Sequence, residues 1–180
     1  MASVYDTVYG WAQATIYSKY NIVSGSNSKY YYSLIDNNVG VGNNPTTSTN
    51  LQVNWDGYKL FNSSFIPNFF WQPSYQSSAK IEPRVKKIQF GNGYQQRVPD
   101  GINFELKNLN LSFENRSEVE TVSILHFLEQ RGGQQSFAYN VPTIYAKPSG
   151  VSKFIAPNWE TNYNFYNSYS IKTVFEEVPN

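Results

Sequence analysis

Only one stretch of this chain, Ser117 to Gly133, carries the period of a helix, and that limits the fold more than any other feature. Ser117 stands three residues before Glu120 in the capping-box arrangement, and Glu118 suits the positive end of a helix dipole. Val122, Leu125 and Leu128 fall near one face, joined by Ile124 and Phe127, and Gly132 closes the segment. Elsewhere the apolar residues come in short β-branched and aromatic runs cut by Asn, Ser, Gly and Pro. The pattern predicts a mainly β fold, a sandwich or small barrel with one helix packed on it.

The runs themselves set the organisation. "ATIYS", "YNIVS" and "KYYYSLI" read as short strands, with "GSNSK" as a hairpin turn, and the polar stretch after Ile35 reads as loop. Residues 1–61 thus make a small all-β module whose buried area comes mostly from Trp11, Tyr17, Tyr31 and Trp55. Residues 62–180 make the second and larger part. Pro67 and Pro73 bracket an aromatic run that reads as linker and edge strand between the two. "RVKKIQF" and "YQQRV" read as strands around a tight Gly91-Asn92-Gly93 turn, and Pro99-Asp100-Gly101 as a second turn. Beyond it, Phe104 and Leu106 have one parity and Leu109, Leu111 and Phe113 the other, which predicts a bulge near Lys107 and Asn108. "QSFAYNV", "KFIAP" and "YSIKTVFEEV" complete the strands, the last placing Tyr169, Ile171, Thr173 and Phe175 inward.

Composition removes most chemistries. A net charge of +1 with 15% charged residues offers no field to recruit nucleic acid or an anionic membrane, and no apolar run is long enough for a membrane anchor. With no cysteine and a single histidine, His126, a thiol nucleophile, a disulfide framework and a conventional zinc site are all excluded. His126, inside the helical segment, reads as structural. Glycoside hydrolysis would need two opposed carboxyl groups, and among Asp36, Asp56, Glu82 and Asp100 no spacing singles out a pair. The glycines of "FGNGYQQRVPDGIN" are not a phosphate loop, since neither the third glycine nor a Gly-Lys-Ser/Thr follows. No enzyme activity and no cofactor are expected.

That glycine-rich stretch, Phe90 to Asn103, is followed in order by the strand with Leu109 and Leu111. A helix then ends in Phe127, Leu128, Gly132 and Gly133, before Ser136, Phe137, Tyr139 and Pro142. Together these residues resemble the minor tail protein family of lambda-like long-tailed bacteriophages, over about residues 65–180. The resemblance implies a tail-tube-like β-sandwich and a non-enzymatic virion protein made in the host cytoplasm. It implies a ring homo-oligomer of six copies, three being the alternative, that joins the tail tube to the distal hub proteins. The genome would pass through the lumen without sequence-specific binding. Gly91, Gly93 and Gly101 read as turn glycines. Tyr94, Gln96, Arg97 and Asp100 are the candidates for contact between subunits.

The first module has a second, weaker resemblance, to small chitin- and cellulose-binding modules, through Trp11, Tyr17, Val23, Tyr31 or Tyr32, Pro45 and Trp55. Tyr20 and Asn21 replace the usual Gly-Asp, and Ser33, Leu34 and Ile35 replace the exposed tandem tryptophans. The alternative function that this implies is contact with a host-surface glycan through Trp11, Tyr17, Tyr31, Tyr32 and Trp55, which depends on open aromatic faces.

Overall fold

The computed structural model describes residues 8–40, 43–47, 50–61, 63–141 and 152–179. Pro142, part of the family-like pattern, lies outside them. The fold is mainly β, as the short runs predict, and among the described residues the sheets do not close into a barrel.

A four-stranded sheet comes first, in the order β1 (Val8–Gly10), β2 (Ile22–Ser24), β3 (Tyr30–Ser33), β4 (Trp55–Asp56). β1 is parallel to β2, and the β2–β3 hairpin turns through "GSNSK" with Gly25 N donating to the Lys29 carbonyl at 2.8 Å. "ATIYS" is not a strand; it contributes one isolated bridge, Tyr17 to Asn38.

The seven-stranded sheet has the order β5 (Tyr58–Phe61), β6 (Ser64–Phe69), β11 (Phe137–Tyr139), β12 (Lys153–Phe165), β13 (Ser168–Val178), β10 (Lys107–Arg116), β7 (Ser78–Ile81). A separate two-stranded ribbon, β8 (Val85–Gln89) with β9 (Gln95–Pro99), lies between β7 and β10 in sequence. In β10, Leu109, Leu111 and Phe113 are buried and sit opposite Phe175, Thr173 and Ile171 of β13. Period-two burial of this kind is what a sheet with one covered face requires. The covering element is α1 (Glu118–Arg131), which buries Ile124, Phe127 and Leu128 against these strands.

α1 begins and ends as its sequence dictates. Ser117 Oγ accepts from Glu120 N at 3.3 Å, and Gly132 closes the helix at φ +55. The Glu120 carboxylate instead takes Arg116 Nη1 at 2.9 Å, so the side chain that would complete the capping box ties the helix to the end of β10.

Two further expectations are corrected. No bulge falls at Lys107 and Asn108, because β10 begins at Lys107 and the chain before it is irregular; the register shift lies between Phe113 and Arg116. The aromatic run after Pro67 is not a linker. Phe69 and Trp71 are 1% and 2% exposed, and Phe69 touches the rings of Trp71, Phe113, Phe127, Phe137, Tyr139 and Phe175 at centroid distances of 5.0–5.9 Å. This is the aromatic centre of the molecule, and edge-to-face pairing within it adds to the burial of area.

Residues 8–61 have a cluster of their own, Tyr17, Val23, Tyr31, Leu51, Trp55 and Tyr58, with Trp11 packed against it. They also share the larger core through Ile22 and Tyr32. Two polar joints cross the expected boundary at 61/62. Tyr32 Oη lies 3.0 Å from His126 Nδ1, and the buried Asp56 Oδ1 accepts from Asn68 Nδ2 at 2.8 Å and from Gly57 N at 2.6 Å. Strand pairing crosses it as well, since β5 forms a hairpin with β6.

Candidate functional site

The β8–β9 ribbon is the longest stretch of the described second region that lies outside the core. From Ile81 to Asn103 every residue except Val98 is exposed. Five cross-strand pairs hold the ribbon together, Val85 with Pro99 through Gln89 with Gln95. Its base is tied by Arg84 N to the Phe104 carbonyl at 2.8 Å and Asp100 N to the Arg84 carbonyl at 2.9 Å.

The turn is a single 3₁₀ turn, Gly91–Gly93, in which Asn92 and Gly93 both have positive φ, +66 and +76. Gly101 has φ +87, so the second turn needs its glycine for the same reason. A Cβ built at Gly91, Gly93 or Gly101 would meet no atom within 4 Å. The glycines therefore serve the backbone and not a close approach within the chain.

Among the expected contact residues, the hairpin brings together Gly91, Gly93, Tyr94, Gln96 and Arg97, with Asp100 and Gly101 at its base. Tyr94 is 72% exposed, with its ring 6.2 Å from that of Phe90. Alternation gives the ribbon two different faces. Ile88, Phe90 and Val98 lie on one with Lys86 and Gln96; Val85, Lys87, Arg97 and Pro99 lie on the other. Lys87 and Arg97 are direct cross-strand partners, a like-charge pairing that weakens a sheet by itself.

The five rings expected to contact glycan are placed differently. Tyr17, Tyr31 and Tyr32 are each 2% exposed and Trp55 is fully buried; only Trp11 is half-exposed. Tyr17 packs edge-on to Trp55 at 5.4 Å, and Trp55 Nε1 donates to the Asn43 carbonyl at 2.7 Å. Their faces are covered by protein, so the stacking surface that sugar contact depends on is not offered by these four.

His126 is a core residue. Burial, reinforced by Arg131, pushes its imidazole down to about 4, so it stays neutral beside Tyr32 at ordinary pH. Asp56 is pushed up to about 6 by burial, against the stabilising effect of the Asn68 and Gly57 donors. Among the described residues no group of His, Asp and Glu is arranged to hold a metal ion, and no helix is long and apolar enough to cross a membrane.

The model of the family described as phage minor tail protein matches residues 67–179, which include the ribbon, α1, five whole strands of the large sheet and the end of β6. The chain belongs to the phage minor tail protein family. Tail tip protein M of Escherichia phage lambda is 36% identical over 77 residues, covering 43% of this chain and 70% of that protein. As a minor tail protein the chain is a component of the virion.

Two surfaces of the minor tail protein were not singled out from its sequence. β12 runs eight residues past Pro157 and carries Tyr163 and Phe165 to an exposed hairpin tip; the alternation of Trp159, Thr161, Tyr163 and Phe165 was the available signal. The outer face of β10, β13 and β12 forms an open groove of about 600 Å³, and it required knowledge of strand order to see.

Proposed function

We propose that this minor tail protein is a ring-forming subunit of the tail tip, six copies around the axis with three as the alternative, standing between the tail tube and the distal hub. The observation that supports this best is the ribbon. Its turn residues are those of the family-like pattern, yet among the described residues a Cβ at Gly91, Gly93 or Gly101 would meet nothing within 4 Å and the turn is exposed. A two-stranded ribbon with free edges and exposed Ile88, Phe90 and Tyr94 is suited to a neighbouring subunit, by edge pairing or by insertion. The relative's name places it at a tail tip. The role calls for positioning and contact rather than catalysis, and the genome passes through the lumen without being read. Residues before 62 lie on the outer side of the ring.

Electron microscopy of isolated tails carrying a label on the N-terminus tests this. The expected result is a ring of label at the distal end, with six-fold or three-fold order. Label confined to peripheral fibres would overturn it.

A further inference from the structure

The turn of the ribbon joins Asn92 to Gly93, and no other asparagine of the chain is followed by glycine. The backbone nitrogen after an asparagine can attack that residue's own side-chain amide, and a glycine there carries no side chain to hinder the approach. Both residues are exposed, and among the described residues a Cβ built at Gly93 would meet nothing within 4 Å. The Asn92 side chain makes no hydrogen bond among the described residues.

Other asparagines are held back by their surroundings. Asn27 and Asn167 each precede a serine, another small residue, but their side chains are engaged. Asn27 Nδ2 donates to Tyr31 Oη at 2.8 Å and its Oδ1 accepts from Lys29 N at 3.2 Å, while Asn167 Oδ1 accepts from Glu118 N at 2.8 Å. At Asn92 the attack needs rotation about ψ, which rests at 23. The turn lies beyond the last cross-strand pair, Gln89 with Gln95, and outside the core, so this rotation is a local opening that costs far less than unfolding the chain.

We infer that Asn92–Gly93 is a self-modification site of the free chain. The Gly93 backbone nitrogen gives up its proton and bonds to Cγ of Asn92; the Cγ–Nδ2 bond breaks, ammonia leaves, and a five-membered succinimide closes. Water then opens the ring at either carbonyl. Breaking the new bond gives aspartate, and breaking the original peptide bond gives isoaspartate, in which the chain runs through Cγ with one more backbone atom. Water is the one co-reactant, and nothing is oxidised or reduced. Either product adds a carboxylate to a ribbon whose charges are Arg84, Lys86, Lys87 and Arg97 against Asp100. Isoaspartate also alters the backbone of a turn that is set by positive φ at both Asn92 and Gly93. The consequence for the virion rests on the assembly reading above: a chain aged in this way no longer enters rings.

The test incubates the purified full chain in mildly acidic and mildly alkaline buffer and follows it by peptide mass spectrometry. Trypsin, cutting after Lys87 and Arg97, isolates Ile88–Arg97, which contains Asn92 and excludes Asp100–Gly101. The expected result is a gain of about 1 Da at Asn92 as the amide becomes a carboxyl, with isoaspartate detected by an isoaspartate-directed methyltransferase. Conversion should outpace that of Asn27 and Asn167 by about tenfold or more, a gap equal to about 1.4 kcal/mol in local opening. It should be faster in the alkaline buffer, because the attacking nitrogen must lose its proton. Asn92→Gln, with thermal unfolding recorded alongside, should stay unchanged, since its longer side chain would have to close a six-membered ring. An Asn92 that stays intact, or converts no faster than Asn27, overturns the inference, and so does aspartate without isoaspartate, which would mean direct hydrolysis of the side chain. Ring formation by the aged chain separates the two readings. Loss of rings in the aged unaltered chain but not in aged Asn92→Gln supports both; conversion at Asn92 with rings unchanged leaves the modification site standing and overturns the role of the turn in assembly.

Discussion

The β8–β9 ribbon and the aromatic centre around Phe69 are fixed by opposite means. Phe69 is held by six other rings, four of them on strands of the large sheet and Phe127 on α1, so its identity follows from contacts within the chain. Among the described residues a Cβ at the glycines of the ribbon's turns would meet nothing within 4 Å, and every side chain from Ile81 to Asn103 except Val98 belongs to an exposed residue. Even so, the residues in Phe90 to Asn103 are the ones most readily matched to the family. A pattern that intrachain packing does not require points to constraint from outside the chain, which for a virion protein means its neighbours in the tail.

Substitutions should separate the two regions. The largest effect is expected from Phe69→Ala, which removes a buried ring from the centre and should cost about 3–5 kcal/mol in denaturant unfolding. A loss below about 1 kcal/mol would mean that the centre is not the main source of stability.

Gly93→Val comes next, and it acts on the ribbon alone. At φ +76 a β-branched residue is strained by about 1–3 kcal/mol. Because no packing surrounds the site, that strain should distort the turn and reduce ring yield while leaving the main unfolding transition in place. A shift of that transition comparable to the effect of Phe69→Ala would show that the ribbon belongs to the folding core.

Tyr32→Phe tests whether residues 8–61 are locked to the centre. It removes the hydroxyl beside His126 Nδ1 and leaves that buried nitrogen without its partner, a loss of about 1–3 kcal/mol. The expected readout is a lower unfolding midpoint for the whole chain in one transition. Two separated transitions would show that the first region unfolds independently.

A pH series isolates the two joints. His126 has its folded value lowered from 6.5 to about 4, so its contribution is present above pH 6.5 and is lost as the pH falls toward 4. Asp56 has its folded value raised from 3.8 to about 6, so its contribution is present below pH 3.8 and is lost as the pH rises through 6. Between pH 4 and 6 they oppose each other. Asp56→Asn removes one side, and its stability should therefore fall more steeply than that of the unaltered chain as pH drops from 6.5 to 4 in urea titrations. Parallel curves would contradict the assignment.

Much of the ribbon was legible because its grammar is local. Positive φ at Gly93 and Gly101 and a proline presetting the second turn follow from residue type alone. The helix was equally legible at both ends. What local reading missed depends on residues far apart in the chain. Two prolines made the run around Phe69 look like a junction, whereas β6 lies between β5 and β11 and brings Phe69 and Trp71 into the core. Pro157 seemed to end a strand, but it falls where β12 shifts register between Ile155 and Asn158, and such a position tolerates a missing donor. The joint between Tyr32 and His126 spans 94 residues and has no local signature. On the ribbon, the opposition of Lys87 and Arg97 could have been read from the hairpin register; the groove facing away from α1 could not, because three non-consecutive strands build it.

The most direct measurement replaces residues 86–98 by a short Gly-Ser turn and records unfolding and ring formation on the same preparation. The prediction is an unfolding midpoint close to that of the unaltered chain together with loss of rings. Rings that persist, or a chain that no longer folds, would contradict the claim that the ribbon serves assembly and the aromatic centre serves stability.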